Sequence, residues 1–286
     1  MSTSLSVAAL WRYPVKSMRG EEVAEAQAGP RGLAGDRAYA VVDAATGHVA
    51  SAKHPRRWAA LLASRAEYEA EPGVDGPAPP VRITLPDGRR VSGEDPGVHA
   101  VLSELLGRPV RLASPAPQGA LREADRSPPE AAGSGAMVRE EPLALAAPAG
   151  TFFDVAPLHL LPASTLRSLR ELRPGSDFDP RRFRPNLVLA GDAPEAGSPE
   201  GDWPGRALLL GGVRLRVIDP SPRCVVTTLA QGGLPRDPDV LRTLAGATSA
   251  ASLTLAPGVV FPAVAGVYAT VEAGGTLRLG MPARLL

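Results

Sequence analysis

Several residue types are scarce in this chain, and each shortage closes off a class of chemistry. Cysteine occurs once in 286 residues, as Cys224. One thiol cannot form an intramolecular disulfide framework, and it falls short of the about four thiolates that hold an iron–sulfur cluster. The four histidines, His48, His54, His99 and His159, lie far apart without zinc-ligand spacing. Neither charge dominates: 31 Lys+Arg stand against 30 Asp+Glu. Nucleic acid and anionic membrane are therefore not expected partners. No stretch approaches the roughly 20 apolar residues of a membrane span. Residues 1–12 lack the basic start and long apolar run of a signal peptide. The expected location is the cytoplasm, whose reducing conditions preserve a lone thiol. Lysine is restricted to Lys16 and Lys53 amid many arginines, and abundant Ala, Gly and Pro suit a GC-rich coding sequence. In such a chain a surviving lysine invites a specific role.

What is present is a foldable chain, 44% hydrophobic, which excludes global disorder. Short strand-like runs with turn signals dominate the first part. Residues 6–13 form one run, 38–43 and 48–52 flank an Ala-Ala-Thr-Gly turn, and 81–85 and 90–92 flank Pro86-Asp87-Gly88. A helix is expected over 98–106, stopped by Gly107. From Ser114 to Gly150 the chain is rich in Pro, Ala and Gly without periodicity, and reads as a linker or loop. Beyond it, Ser164 is placed to cap a helix over 165–172, and a second helix is expected over 239–244. Strands are expected at 186–190, 207–210, 213–218, 225–229 and 264–271, with a Gly274-Gly275 hairpin leading into 276–279. The pattern predicts a mainly β (α+β) fold with three parts: residues 1–115, a linker at 116–150, and residues 151–286.

Three stretches carry candidate chemistry. Cys224 follows Pro220-Ser221-Pro222-Arg223, where a rigid proline turn at a strand end holds a thiol beside a guanidinium. The plain alternative is a small buried hydrophobe. A cysteine hydrolase would need a histidine, and only His159 lies in the same half, without a supporting pattern. The second stretch, Asp179-Pro180-Arg181-Arg182-Phe183-Arg184-Pro185-Asn186, is either a solvated basic turn or a fixed Arg and Asn that read an anion and a heterocycle edge. The third, Tyr13-Pro14-Val15-Lys16-Ser17 with Gly35-Asp36-Arg37, offers an ammonium, a hydroxyl and backbone N–H groups to a phosphate, although it is no phosphate-loop motif.

Taken in order, these stretches resemble the MOSC domain family. Tyr13–Ser17 and Gly35–Arg37 are similar to its N-terminal β-barrel domain. The runs from Phe153 to Leu161, from Arg182 to Asn186, and from Arg223 to Thr228 are similar to the MOSC domain itself. The family includes the mitochondrial amidoxime reducing component, its bacterial relatives and the C-terminal domain of molybdenum cofactor sulfurases. The resemblance implies an N-terminal β-barrel domain, a β-barrel-like MOSC domain with a few helices, and a molybdenum cofactor between them. Cys224 would be the metal ligand and catalytic residue. Lys16, Ser17 and Arg37 would bind the cofactor from the first domain and Arg184, Asn186, Arg223 and Thr227 from the second. The implied activity is reduction of small N-hydroxylated (N–O) compounds, with no flavin, haem or iron–sulfur site in the chain. Electrons would come from a separate ferredoxin, flavodoxin or cytochrome-type protein with its reductase. The alternative is a non-redox carrier of sulfur, as a Cys224 persulfide, or of the cofactor; a binding barrel with a structural cysteine is the third reading. The chain departs from the family pattern at Phe261–Tyr268 and at Gly280-Met281, away from the cysteine. Neither the pyridoxal-phosphate domain of cofactor sulfurases nor the ferredoxin domain of some bacterial relatives is expected from these residues.

Overall fold

The structure, a computed structural model, describes residues 5–191 and 197–286. The fold is mainly β and is organised by a closed barrel of seven strands: β1 (Leu5–Arg12), β2 (Leu158–Pro162), β3 (Leu187–Gly191), β4 (Ala207–Leu210), β5 (Val213–Pro222), β6 (Val264–Ala273) and β7 (Pro282–Leu285). The order around the barrel is β3-β2-β6-β5-β4-β7-β1, and β1 closes it by pairing with β3. Each neighbouring pair is antiparallel except β2 and β3, which run parallel and are joined through the helix Ala163–Leu172. Closure gives each barrel strand a neighbour on both sides over at least part of its length, and the inward Leu and Val side chains fill the lumen.

The alternation along β1 explains its place. Leu5 and Val7 are buried, then Leu10 and Arg12, so the inward phase slips by one residue. The slip coincides with a bulge between Val7 and Ala9, which restores the match to β3. The expected first part thus donates its opening strand to the barrel of the third. A boundary after residue 115 does not separate the two, because β1 finds its hydrogen-bond partners in β3 and β7. The end of the chain crosses back in the same way. Gly275–Arg278 pairs with Glu25–Gly29 instead of folding onto β6 as the expected Gly-Gly hairpin. Gly274 permits this approach, since a Cβ there would lie 2.6 Å from the Ala28 carbonyl.

The remainder of the N-terminal half packs short sheets around Val15, Met18, Trp58, Leu61 and Ile83. Ala40–Asp43 pairs with Val110–Ala113 and also bonds back across the 44–47 turn, Asp43 N–H to the His48 carbonyl and Ala50 N–H to the Val41 carbonyl, as the expected hairpin requires. The helix Val98–Leu106 ends at Gly107, whose left-handed φ of 64° closes it.

Three further expectations change. Residues 116–150 contain a hairpin, Leu121–Asp125 against Val138–Pro142, where a linker was expected. The helix starts at Ala163, two residues early, with Ser164 inside it and no side-chain cap. Val225–Thr228 is a tight helical turn, not a strand. Conversely, β5 runs through Pro220 and Pro222, because beyond Val217 it has a ladder neighbour on one side only, where a missing N–H is tolerated.

Candidate functional site

A cleft opens where the N-terminal half meets the barrel. From the first come Lys16, Ser17, Arg37 and Lys53; from the second come Asp154, His159, Arg184, Asn186, Arg223, Cys224 and Tyr268. Of the residues expected from sequence, Lys16, Ser17, Arg37, Arg184, Asn186, Arg223 and Cys224 all reach this cleft. Thr227 does not. It is buried behind the cysteine, and its hydroxyl donates to the Cys224 carbonyl at 3.0 Å, fixing the turn that presents the thiol. Cys224 itself is partly exposed. It also lines a second space of about 220 Å³ with Arg122, Arg126 and Glu141, so the thiol sits on the wall shared by two openings.

The cleft is built on strained backbone. Among the described residues, five non-glycine positions have positive φ, and three of them line the cleft: Ser17 at 64°, Arg37 at 49° and Arg184 at 56°. Such conformations cost energy and concentrate where function demands a fixed side chain. Both guanidiniums lie against the ring of Tyr13, Arg37 at 4.4 Å and Arg184 at 4.3 Å from its centre. Burial pushes the Tyr13 phenol up, so it remains the neutral donor to the Pro185 carbonyl. Arg184 bonds the Met18 carbonyl at 2.8 Å. Burial and the neighbouring Arg37 charge lower its guanidinium to about 10, still protonated at neutral pH.

Asn186 has a different role from the heterocycle reader expected of it. Its amide donates to the Trp11 carbonyl at 3.2 Å and to Asp36 at 2.9 Å, while its oxygen accepts from the His159 N–H at 3.0 Å. The amide is fully engaged and ties β1, β2 and the start of β3 together. Asp36 in turn accepts from the Tyr13 N–H at 2.7 Å and holds Arg37. Ser17 is engaged as well, its hydroxyl accepting from the Ala52 N–H at 3.0 Å.

Both lysines of the chain converge on one carboxylate. Asp154 sits 2.6 Å from Lys16 Nζ, 3.1 Å from Lys53 Nζ and 2.7 Å from Arg122 Nε. Burial alone would raise its pKa, yet the charges of Arg122, Lys16 and Lys53 hold it well below the usual carboxylate range. Lys16 also donates to the Phe152 carbonyl. Its burial, only partly offset by Asp154, lowers it to about 7.

Two buried atoms at the cleft have no protein partner: Arg223 Nε and His159 Nδ1. His159 Nε2 lies 3.0 Å from the Ala265 carbonyl, which can only accept, so Nε2 carries the proton and Nδ1 presents a bare lone pair. Burial, then the charge of Arg223, hold this imidazole neutral. Gly266 makes room for it, because a Cβ there would lie 2.5 Å from His159 Nε2.

Sequence reading missed two contributors. Arg122, Arg126 and Glu141 come from the hairpin inside 116–150, where Arg122 links Glu141 to Asp154. Arg182, fully buried, reaches the carbonyls of Asp177, Thr227, Leu229 and Pro235 and clamps the loop behind Cys224. The signal was the arginine run itself, which does not reveal which member points inward.

Among the described residues no group of three or more His, Cys, Asp and Glu could hold a metal. A metal at Cys224 would take its other donors from an organic ligand. The chemistry of the cleft fits a molybdenum cofactor in that respect: one soft thiol and a cationic surround. No helix among the described residues is long and apolar enough to cross a membrane.

Two family models match the chain, the MOSC N-terminal beta barrel domain over residues 4–79 and the MOSC domain over residues 148–284. No curated protein matches it. Among solved structures it is similar to YiiM from Geobacillus stearothermophilus, with 19% identity, 46% of this chain and 54% of that one covered, and a TM-score of 0.32. A protein described as hypothetical is 15% identical over 46% of this chain and 50% of its own, with a TM-score of 0.31. The YUAD protein from Bacillus subtilis is 9% identical, covering 100% of this chain and 96% of its own, with a TM-score of 0.40. The chain spans about half the length of the first two.

Proposed function

For a chain that belongs to the MOSC family, we propose an oxidoreductase that binds a molybdenum cofactor through Cys224 and reduces small N-hydroxylated compounds in the cytoplasm. One observation carries the reading: the only thiol lies on the wall between a cationic cleft and a second opening. The first space suits an anionic cofactor and the second the approach of a substrate. When bound, the cofactor supplies two-electron chemistry that accepts oxygen from an N–O bond. The chain's own groups hold it. Cys224 Sγ ligates the metal. Lys16, Lys53 and Arg184 surround the anionic end, with Arg37 packed alongside. Arg223, which lines the cleft, would donate to an acceptor group of the ligand, beside the neutral His159 imidazole. Asn186, Thr227 and Arg182 position these residues without touching ligand. Electrons come from a separate ferredoxin, flavodoxin or cytochrome-type partner.

The test is molybdenum and pterin analysis of protein from a cofactor-competent host, wild type beside Cys224→Ala, followed by benzamidoxime reduction with a chemical electron donor. Near-stoichiometric metal that is lost or perturbed in the variant, with turnover in the wild type, supports the proposal. Full loading without turnover removes the substrate assignment. No molybdenum in either protein removes the enzyme assignment, and labile sulfane sulfur on Cys224 would then identify a sulfur carrier.

A further inference from the structure

Arg184 lines a second cavity besides the Cys224 cleft, one of about 310 Å³ whose walls include Trp11, Tyr13, Arg19, Arg65 and Gln231. We propose that this cavity binds a phosphate monoester carried on a planar ring, the chemistry of a nucleoside monophosphate. The site shares Arg184 with the cofactor cleft but is otherwise lined by different residues, and it does not depend on the cofactor reading.

Its charge is one-sided. Arg19, Arg65, Arg181 and Arg184 face Glu22 alone among acidic residues. Arg181 is neutralised by Asp179 at 2.7 Å, and Arg65 reaches Glu67 at 3.4 Å. Arg19 and Arg184, however, hydrogen-bond only to backbone carbonyls, those of Ala63 and Met18. Neither forms a close ion pair with a carboxylate among the described residues, although the charges of Asp36 and Asp154 act on Arg184 from farther away. Burial lowers the Arg19 guanidinium, and the charges of Arg65 and Arg181 lower it further, a crowding that a dianion relieves.

Two donors on residues that line the cavity are also unpaired among the described residues. Arg19 Nε and Gln231 Nε2 are buried with no partner, and Gln231 is only 5% exposed. Buried donors normally find acceptors, but these two atoms have no surface in reach of a ligand oxygen, so the phosphate contacts fall to the terminal guanidinium nitrogens of Arg19, Arg65 and Arg184. Both donors are fixed in place. The loop carrying Gln231 is pinned by reciprocal backbone bonds between Gln231 and Leu234 at 3.0 and 2.9 Å. Gly232 follows at φ 52°, and a Cβ there would lie 2.6 Å from Arg19 Cδ, so the arginine stem rests against bare backbone. A ring has its own platform in Trp11, which is partly exposed and stacks on Tyr13 at 6.5 Å and 20°. The volume lies at the low end of the roughly 300–1,000 Å³ typical of small-molecule pockets, which suits a mononucleotide.

The experiment is calorimetric titration of the full chain with AMP at low salt, beside adenosine and inorganic phosphate. The expected result is one saturable site, with adenosine and phosphate each weaker than AMP by about tenfold. Arg19→Gln should weaken AMP by about tenfold or more. Arg65→Gln, at a half-exposed position that tolerates substitution, should weaken it measurably, so the answer does not depend on Arg19→Gln folding. Lys53→Ala, in the other cleft, should leave AMP binding unchanged. No saturable binding by about 1 mM AMP, unchanged affinity in Arg65→Gln, or loss in Lys53→Ala would each overturn the proposal. Equal affinity for inorganic phosphate would overturn the ring.

Discussion

Lys16 offers a measurement in which both sign and size are set by its surroundings. Its ammonium is 5% exposed, and burial depresses it from 10.5 to about 7 despite Asp154. Below pH 7 the folded and unfolded chains both carry the proton, and the full cost of the buried charge is present. Between pH 7 and 10.5 the unfolded chain binds the proton more readily than the folded one, so stability must rise with pH. At 1.36 kcal/mol per unit, the linkage gives a gain of about 2 kcal/mol between pH 7 and pH 9. Urea unfolding of the ligand-free protein at these two pH values, wild type beside Lys16→Met, checks it. The wild type should gain about 2 kcal/mol more than the variant across this interval. Tyr13 and Tyr68, both raised by burial, act only above pH 10 and in the opposite direction. Parallel pH profiles for the two proteins would refute the reasoning, because Lys16 would then not be the group that loses its proton. The same shift implies that anion binding in the cleft weakens as pH rises through 7, when Lys16 becomes neutral.

Three further outcomes are expected. Gly266→Ala should destabilise the protein by about 2–4 kcal/mol in thermal or urea unfolding, because φ is 76° and the new Cβ would fall 2.4 Å from the Leu160 carbonyl. Asn186→Asp should cost about 3 kcal/mol: it removes the donors to Trp11 and Asp36 and sets a second carboxylate beside Asp36. Its cost should shrink on acidification as the paired carboxylates take up a proton. Asp219→Ala should lower stability by about 3 kcal/mol at neutral pH, since this carboxylate, with no exposed surface, accepts from the N–H groups of Leu253, Thr254 and Leu255. Burial opposes its ionisation, but those bonds hold its pKa below the usual value, so its contribution should fade as the wild type is acidified through that pKa.

How much of this was legible in the sequence depends on the range over which each feature is determined. The Cys224 turn, the Tyr13–Ser17 stretch and the Arg182–Asn186 run are local, and their side chains reach one cleft as the motif order implied. The helix at 98–106 and the barrel strands were visible from periodicity and turn residues. Strand partners were not. Nothing within residues 5–12 states that β1 closes against 187–191, and nothing in Gly274-Gly275 states that the next strand leaves β6 for Glu25–Gly29. The hairpin of 121–125 and 138–142 was hidden because it carries little apolar alternation. Arg122 and Arg126 meet Glu141 across it, and charge pairing rather than hydrophobic period marks it.

The arginine run shows why the residual ambiguity is physical. Arg181, Arg182 and Arg184 are chemically identical and fall within four consecutive positions, yet each meets a different environment. Arg181 turns outward to Asp179, Arg182 vanishes into a shell of carbonyls, and Arg184 faces the cleft. The separation follows from backbone geometry. Pro180 starts a single helical turn capped by Asp179, which places 181 and 182 on different faces. Arg184 then leaves the turn at φ 56°, ahead of Pro185. In that conformation its guanidinium lies 4.3 Å from the centre of the Tyr13 ring. The function proposed for this region therefore rests less on the number of arginines than on the one backbone conformation that aims the last of them.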